Sequence, residues 1–203
     1  MPRFARVVLL LLAMAGSAAA PAAGAEYRDP QDVFSVTYDD GVWEREDEQE
    51  LSLQCREEAC GGAIVGCFFT KEPANGAPAA VIMRSFDAAQ IARAQIEAFA
   101  DQKERLEREF SGVIEWNKAV DVAPVVTQPY APRTIAGLPF QVAEFRLSML
   151  GQVARYASYM TAADGYSIAA VCHASEEAYP RWRPRFEALV EALRIAGPAP
   201  VPR

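Results

Sequence analysis

Residues 140–172 constrain the fold more than any other part of the chain. Phe140 to Met149, Gln152 to Thr161 and Tyr166 to Cys172 form three consecutive extended runs rich in aromatic and β-branched side chains. Leu150-Gly151 links the first two and Ala163-Asp164-Gly165 the last two, and links this short join antiparallel neighbours. Asp-Gly at a hairpin supplies the positive-φ positions of a type I′ turn. The segment is expected to be an antiparallel meander.

Earlier strands are expected at Val33 to Tyr38, from Val42-Trp43, at Leu51 to Cys55 and at Ala63 to Phe69, with another at Ile114 to Val120. Ala63 to Phe69 is apolar enough to be covered on both faces. Glu72 to Pro78 and the Pro-punctuated stretch from Pro124 to Pro132 have the composition of connections. Asp87 to Phe110 predicts a helix. Asp87 and Gln90 form a capping pair, and Ile91, Ala92, Ile96, Phe99, Leu106 and Phe110 share one stripe at helical spacing, interrupted only by Lys103. A closing helix is expected with Pro184 in its first turn, burying Phe186, Leu189, Val190 and Leu193, and ending at Gly197-Pro198. This order of elements is an α+β architecture, an antiparallel β-sheet flanked by helices.

Phe34-Ser35-Val36-Thr37-Tyr38, a turn and then Trp43 resemble the opening strand motif of the PsbP/Mog1/DcrB-like superfamily. Asp39 stands where the motif has a proline, and Val42 adds a residue before the tryptophan. The mid-chain helix, the meander and a helix ending Ala192-Leu193-Arg194-Ile195 are similar to the same pattern. The resemblance implies an α/β/α sandwich used for binding, assembly or chaperone work. It names no ligand and carries over no catalytic residue.

The N-terminus reads as an export signal. Arg3 and Arg6 precede an apolar run from Val7 to Ala15, and Ala23-Gly24-Ala25 fits a small-residue cleavage site ahead of Glu26. The chain thus divides into a signal peptide at 1–25, one domain at 26–197 and a disordered Pro-rich tail at 198–203, with a periplasmic or secreted destination after cleavage near Ala25. The full chain carries 27 acidic and 20 basic residues, a net charge of −7. Losing Arg3 and Arg6 would take the charge to about −9, opposite in sign to a nucleic-acid binder's basic footprint. No apolar run reaches the length of a membrane-crossing helix.

All four cysteines, Cys55, Cys60, Cys67 and Cys172, lie beyond the signal. An even count in an exported chain reads as two disulfides with three possible connectivities. The favoured one joins Cys55 to Cys60 across four residues and Cys67 to Cys172 between two strands. The spacing matches no compact zinc pattern. The acidic residues Glu44, Glu46, Asp47, Glu48, Glu50, Glu57 and Glu58 do not follow a calcium loop and read as a solvated edge.

His173 is the sole histidine. Adjacent strand residues point to opposite faces, so His173 is poorly placed to take a proton from Cys172. No other catalytic constellation or cofactor motif is present in the sequence. Arg181, Trp182, Arg183 and Arg185 cluster near the start of the closing helix, a candidate anion or partner patch, although Glu176 and Glu177 offer local counter-charge. The sequence therefore predicts an exported, non-catalytic module without a cofactor that binds a protein or envelope component. The competing reading is a thiol-redox or other enzyme using Cys172 and His173.

Overall fold

The computed structural model describes residues 24–46, 51–87, 124–149 and 152–196, together with 89–91, 93, 97 and 108. Most of the expected signal, residues 47–50, the strand expected at 114–120 and the tail lie outside the described residues. The isolated positions 89–91, 93, 97 and 108 are helical, within the helix expected there.

The architecture is α+β with antiparallel sheets. β1 (Ala25–Arg28), β2 (Phe34–Tyr38) and β10 (Leu193–Ile195) form a three-stranded sheet with β2 in the centre. β3 (Trp43–Arg45), β4 (Leu51–Cys55), β5 (Val65–Pro73), β6 (Val125–Ile135), β7 (Leu138–Met149), β8 (Gln152–Ala163) and β9 (Tyr166–Ser175) form a seven-stranded sheet in the order β3-β4-β5-β9-β8-β7-β6. Besides those helical positions, the helices bounded among the described residues are α1 (Glu57–Cys60), α2 (Ala79–Ser85) and α3 (Tyr179–Glu191).

The meander forms as β7, β8 and β9, with Gln141 opposite Met160 and Ala163 opposite Tyr166. In the Asp164–Gly165 turn only the glycine takes a positive φ, 83°. The expected pair of positive-φ positions instead appears between β6 and β7, at Ala136 (49°) and Gly137 (83°), with Ile135 opposite Leu138.

Alternation along the strands gives the large sheet two faces. Ile168, Ala170, Cys172 and Ala174 of β9 are buried on the face carrying α3. That helix inserts Trp182, Phe186, Leu189 and Val190 into the main core. Trp43 meets Trp182 edge-on with ring centroids 5.5 Å apart. Tyr130, Ala143 and Phe145 make a second cluster on the opposite face, against which Ile91 packs. Apolar material therefore lies against both faces of the sheet.

Three local expectations are corrected. The Pro-punctuated stretch is the edge strand β6, not a connection. An edge strand leaves one side of its backbone unpaired, so proline costs little there. Irregular pairing at Val126/Gln128 and Gln128/Ala131 further accommodates Pro129. The closing helix begins at Tyr179, placing Pro180 in the first turn and Pro184 inside the helix. Finally, Leu193–Ile195 is a strand on β2 and not the helix end. Leu193 lies in the same core as Leu189 and Val190, and its apolar spacing fits either conformation.

Candidate functional site

A groove of about 1330 Å³ opens at the hairpin end of the large sheet, beside the small sheet and α2. Three arginines line it: Arg28 from β1, Arg84 from the last turn of α2 and Arg194 from β10. Met83, Leu138 and Ile195 supply half-buried apolar surface, above the buried Val33 and Phe34.

Local chemistry fixes the walls. Pro78 precedes α2 and offers no side-chain cap. The carboxylate of Asp164 accepts the Ala79 N–H at 2.8 Å instead, so the β8–β9 hairpin holds the start of that helix. On the opposite wall, Asp29 is buried and accepts the backbone N–H groups of Gln31 and Val33, each at 3.1 Å. Its carboxylate also takes both contacts from the Lys71 ammonium of β5. Lys71 lies 5.5 Å from the centre of the Tyr166 ring, and the Tyr166 hydroxyl donates to Gln31 at 3.4 Å. An ion pair whose carboxylate is buried and whose ammonium is partly exposed therefore ties the loop bearing Gln31 and Asp32 to the large sheet.

The arginines differ in commitment. Arg28 pairs with Asp32 at 3.5 Å, both well exposed. Arg194 donates from Nη1 to the backbone carbonyls of Glu191 and Leu193, at 2.7 and 2.9 Å. Among the described residues neither Arg84 nor Arg194 has a carboxylate partner.

The sequence-nominated arginine segment is dispersed by the fold. Trp182 is 1% exposed and belongs to the core. Arg183 reaches Glu144 at 3.3 Å and Glu187 at 3.8 Å, and Arg155 reaches Glu144 at 2.8 Å. Glu144 is buried, so these two guanidiniums supply its charge compensation. Arg181 donates to the Cys60 carbonyl at 3.4 Å, and Arg185 stacks over the Trp182 ring at 4.6 Å. Arg155 likewise lies 4.4 Å from the centre of the Tyr179 ring, whose hydroxyl is pushed above its usual range by burial and then by Glu144.

The structure pairs Cys55 with Cys60 and Cys67 with Cys172. The second bond joins residues directly opposite one another in β5 and β9, in the main core. His173 projects from the opposite face. Its ring stacks on Tyr156 at 5.3 Å between centroids and crosses Gly66, where an added Cβ would lie 2.7 Å from the imidazole. Burial lowers the His173 pKa, and Glu46 offsets this in part. The strand thus separates His173 from the Cys172 sulfur, and all four cysteines are bonded. Of the acidic residues, Glu44 pairs with Arg56 at 3.7 Å and Glu46 accepts from Ser52 at 3.3 Å. No cluster among the described residues has the composition of a metal site, and none of their helices is long and apolar enough to cross a membrane.

The groove has no local signature in the sequence. Its arginines are single residues from positions far apart, so no local motif marks them. The one available signal was Arg194, a charge between Leu193 and Ile195 in a run that alternates as a strand does.

The cyanobacterial PsbP protein CyanoP from Synechocystis superposes with a TM-score of 0.56 at 11% identity, over 88% of this chain and 96% of that one. PA94 of Pseudomonas aeruginosa gives 0.44 at 11% identity, over 88% and 99% of the two chains. LpqN of Mycobacterium tuberculosis, a protein involved in cell envelope biogenesis, gives 0.33 at 9% identity, over 88% and 87%. No protein-family model and no curated protein sequence matches the chain. The fold is PsbP-like, as the opening strand and Trp43 suggested.

Proposed function

We propose that this is an exported, non-catalytic binding module of the periplasm or cell envelope, which engages a protein or envelope component through the groove at the hairpin end of the large sheet. The observation that carries this reading is the placement of Arg84 and Arg194, without carboxylate partners among the described residues, in one apolar-floored groove within a chain of net negative charge. Two disulfides and the N-terminal export pattern support passage into an oxidising compartment. The α3 arginines are engaged within the fold instead: Trp182 fills the core, Arg183 neutralises Glu144, Arg181 donates to the Cys60 carbonyl and Arg185 lies over the Trp182 ring.

Formaldehyde crosslinking in intact cells, comparing the wild type with Arg84→Glu/Arg194→Glu, tests this function. The proposal expects envelope-fraction adducts that the double variant loses while remaining folded and exported. Adducts of unchanged identity and yield in the variant would oppose it.

A further inference from the structure

We infer that the occupant of the groove is an extended polypeptide segment of a partner protein, with carboxylates beside apolar side chains. The inference rests on the groove being the docking surface, and it adds the chemistry of what docks.

Charge complementarity comes first. Many arginines elsewhere in this acid-rich chain pair with carboxylates: Arg56 with Glu44, Arg133 with Glu187, Arg146 with Glu176, and Arg155 and Arg183 with Glu144, while Arg181 and Arg185 are held by the Cys60 carbonyl and the Trp182 ring. Arg84 and Arg194 have none among the described residues, and both line the same groove, whose own lining carboxylates, Asp32 and Asp164, are engaged by Arg28 and by the Ala79 N–H. Arg194 uses Nη1 on backbone carbonyls, which leaves its Nε and Nη2 edge for a ligand. That edge is a planar two-donor fork, the geometry that a carboxylate accepts in parallel.

Size and shape come second. At about 1330 Å³ the groove exceeds the ~300–1,000 Å³ of cavities that enclose a small molecule. An extended chain sends alternate side chains to opposite sides. It can therefore lay apolar groups on Met83, Leu138 and Ile195 while carboxylates reach the arginines on the walls. Ala79 and Ala80 line the α2 side, where short side chains let a second backbone approach closely.

A lipid surface fits less well. A bilayer is flat on this scale and cannot follow a concavity. Its anionic headgroups would also meet a protein of net charge −7.

Fluorescence anisotropy on the disulfide-intact mature protein supplies the test. The probes are a labelled peptide alternating Glu with Leu, the same peptide with Gln replacing Glu, and vesicles of phosphatidylglycerol in phosphatidylcholine. The Glu–Leu peptide is expected to bind saturably, more weakly as salt rises, and about tenfold or more tighter than its Gln counterpart. Arg84→Ala/Arg194→Ala is expected to weaken it about tenfold or more, whereas Arg185→Ala leaves it unchanged. Arg84 and Arg194 are both exposed, and circular dichroism verifies the variant's fold. No saturable peptide binding up to ~1 mM, or equal binding of the two peptides, overturns the inference. Vesicle binding that needs Arg84 and Arg194, without peptide binding, overturns the peptide occupant but preserves the groove as the docking surface. If the double variant changes binding of no probe, both readings fall.

Discussion

Removing the two disulfides separately should have unequal effects, and their chain separations set the ratio. Cys67–Cys172 closes a loop of 105 residues, whereas Cys55–Cys60 closes one of five. On the chain-entropy argument the long closure contributes about 4.7 kcal/mol and the short one about 2 kcal/mol. Typical domains have a net stability of about 5–15 kcal/mol, so the first loss takes a large share of the total. For a domain of this size the corresponding falls in Tm are about 10–20 °C and about 4–8 °C. Cys67→Ala/Cys172→Ala also removes two sulfurs from the main core, which adds a packing loss to the entropic one. Cys60 lies in the same core but Cys55 is only partly buried, so Cys55→Ala/Cys60→Ala removes one core sulfur and carries less of that extra cost.

Urea unfolding followed by tryptophan fluorescence is the assay, since the Trp43–Trp182 contact sits in the same core. The long-range pair should shift the midpoint at least twice as far as the short-range pair. Equal shifts, or a larger shift from Cys55→Ala/Cys60→Ala, would refute the loop-length reasoning.

Three further outcomes are expected. Asp29→Ala leaves the Lys71 ammonium without its buried partner and should cost about 3–5 kcal/mol in chemical denaturation, whereas an exposed pair such as Arg28–Asp32 should cost under about 1 kcal/mol. His173 has a folded-state pKa below its ordinary 6.5, so it favours folding when neutral. Its contribution is complete above pH 6.5 and declines as pH falls below that value, a dependence that His173→Gln should remove from urea midpoints measured between pH 7 and pH 5. Gly66→Ala should lower Tm, since the new methyl group would meet the His173 ring at 2.7 Å and Gln54 at 2.9 Å, and His173→Ala should recover part of the loss in the double variant.

Features whose physics is local were legible in the sequence. The meander announces itself through alternation and an Asp-Gly turn, and the disulfides through the even count and spacing of the cysteines. The apolar stripe of α3 was equally plain. β6 was obscured because Pro129 and Pro132 forbid a central strand, and nothing local says that this strand lies at an edge. β10 was hidden by Leu193, which satisfies helical and strand spacing at once. At the arginine segment, density of charge was visible while its partners were not. Glu144 sits 39 positions before Arg183 in the chain, and only the fold brings them to 3.3 Å. The groove has the opposite character, single residues scattered in sequence and brought to one place from β1, α2 and β10.

Photo-crosslinking from two positions in intact cells tests the docking surface most directly. A benzophenone side chain replaces Ala80 on the groove wall or Glu177 on the exposed approach to α3. Docking through the groove requires a discrete partner adduct from position 80, abolished by Arg84→Glu/Arg194→Glu, and little or none from position 177. Adducts from position 177 alone would contradict it and move the binding surface to the arginines of α3.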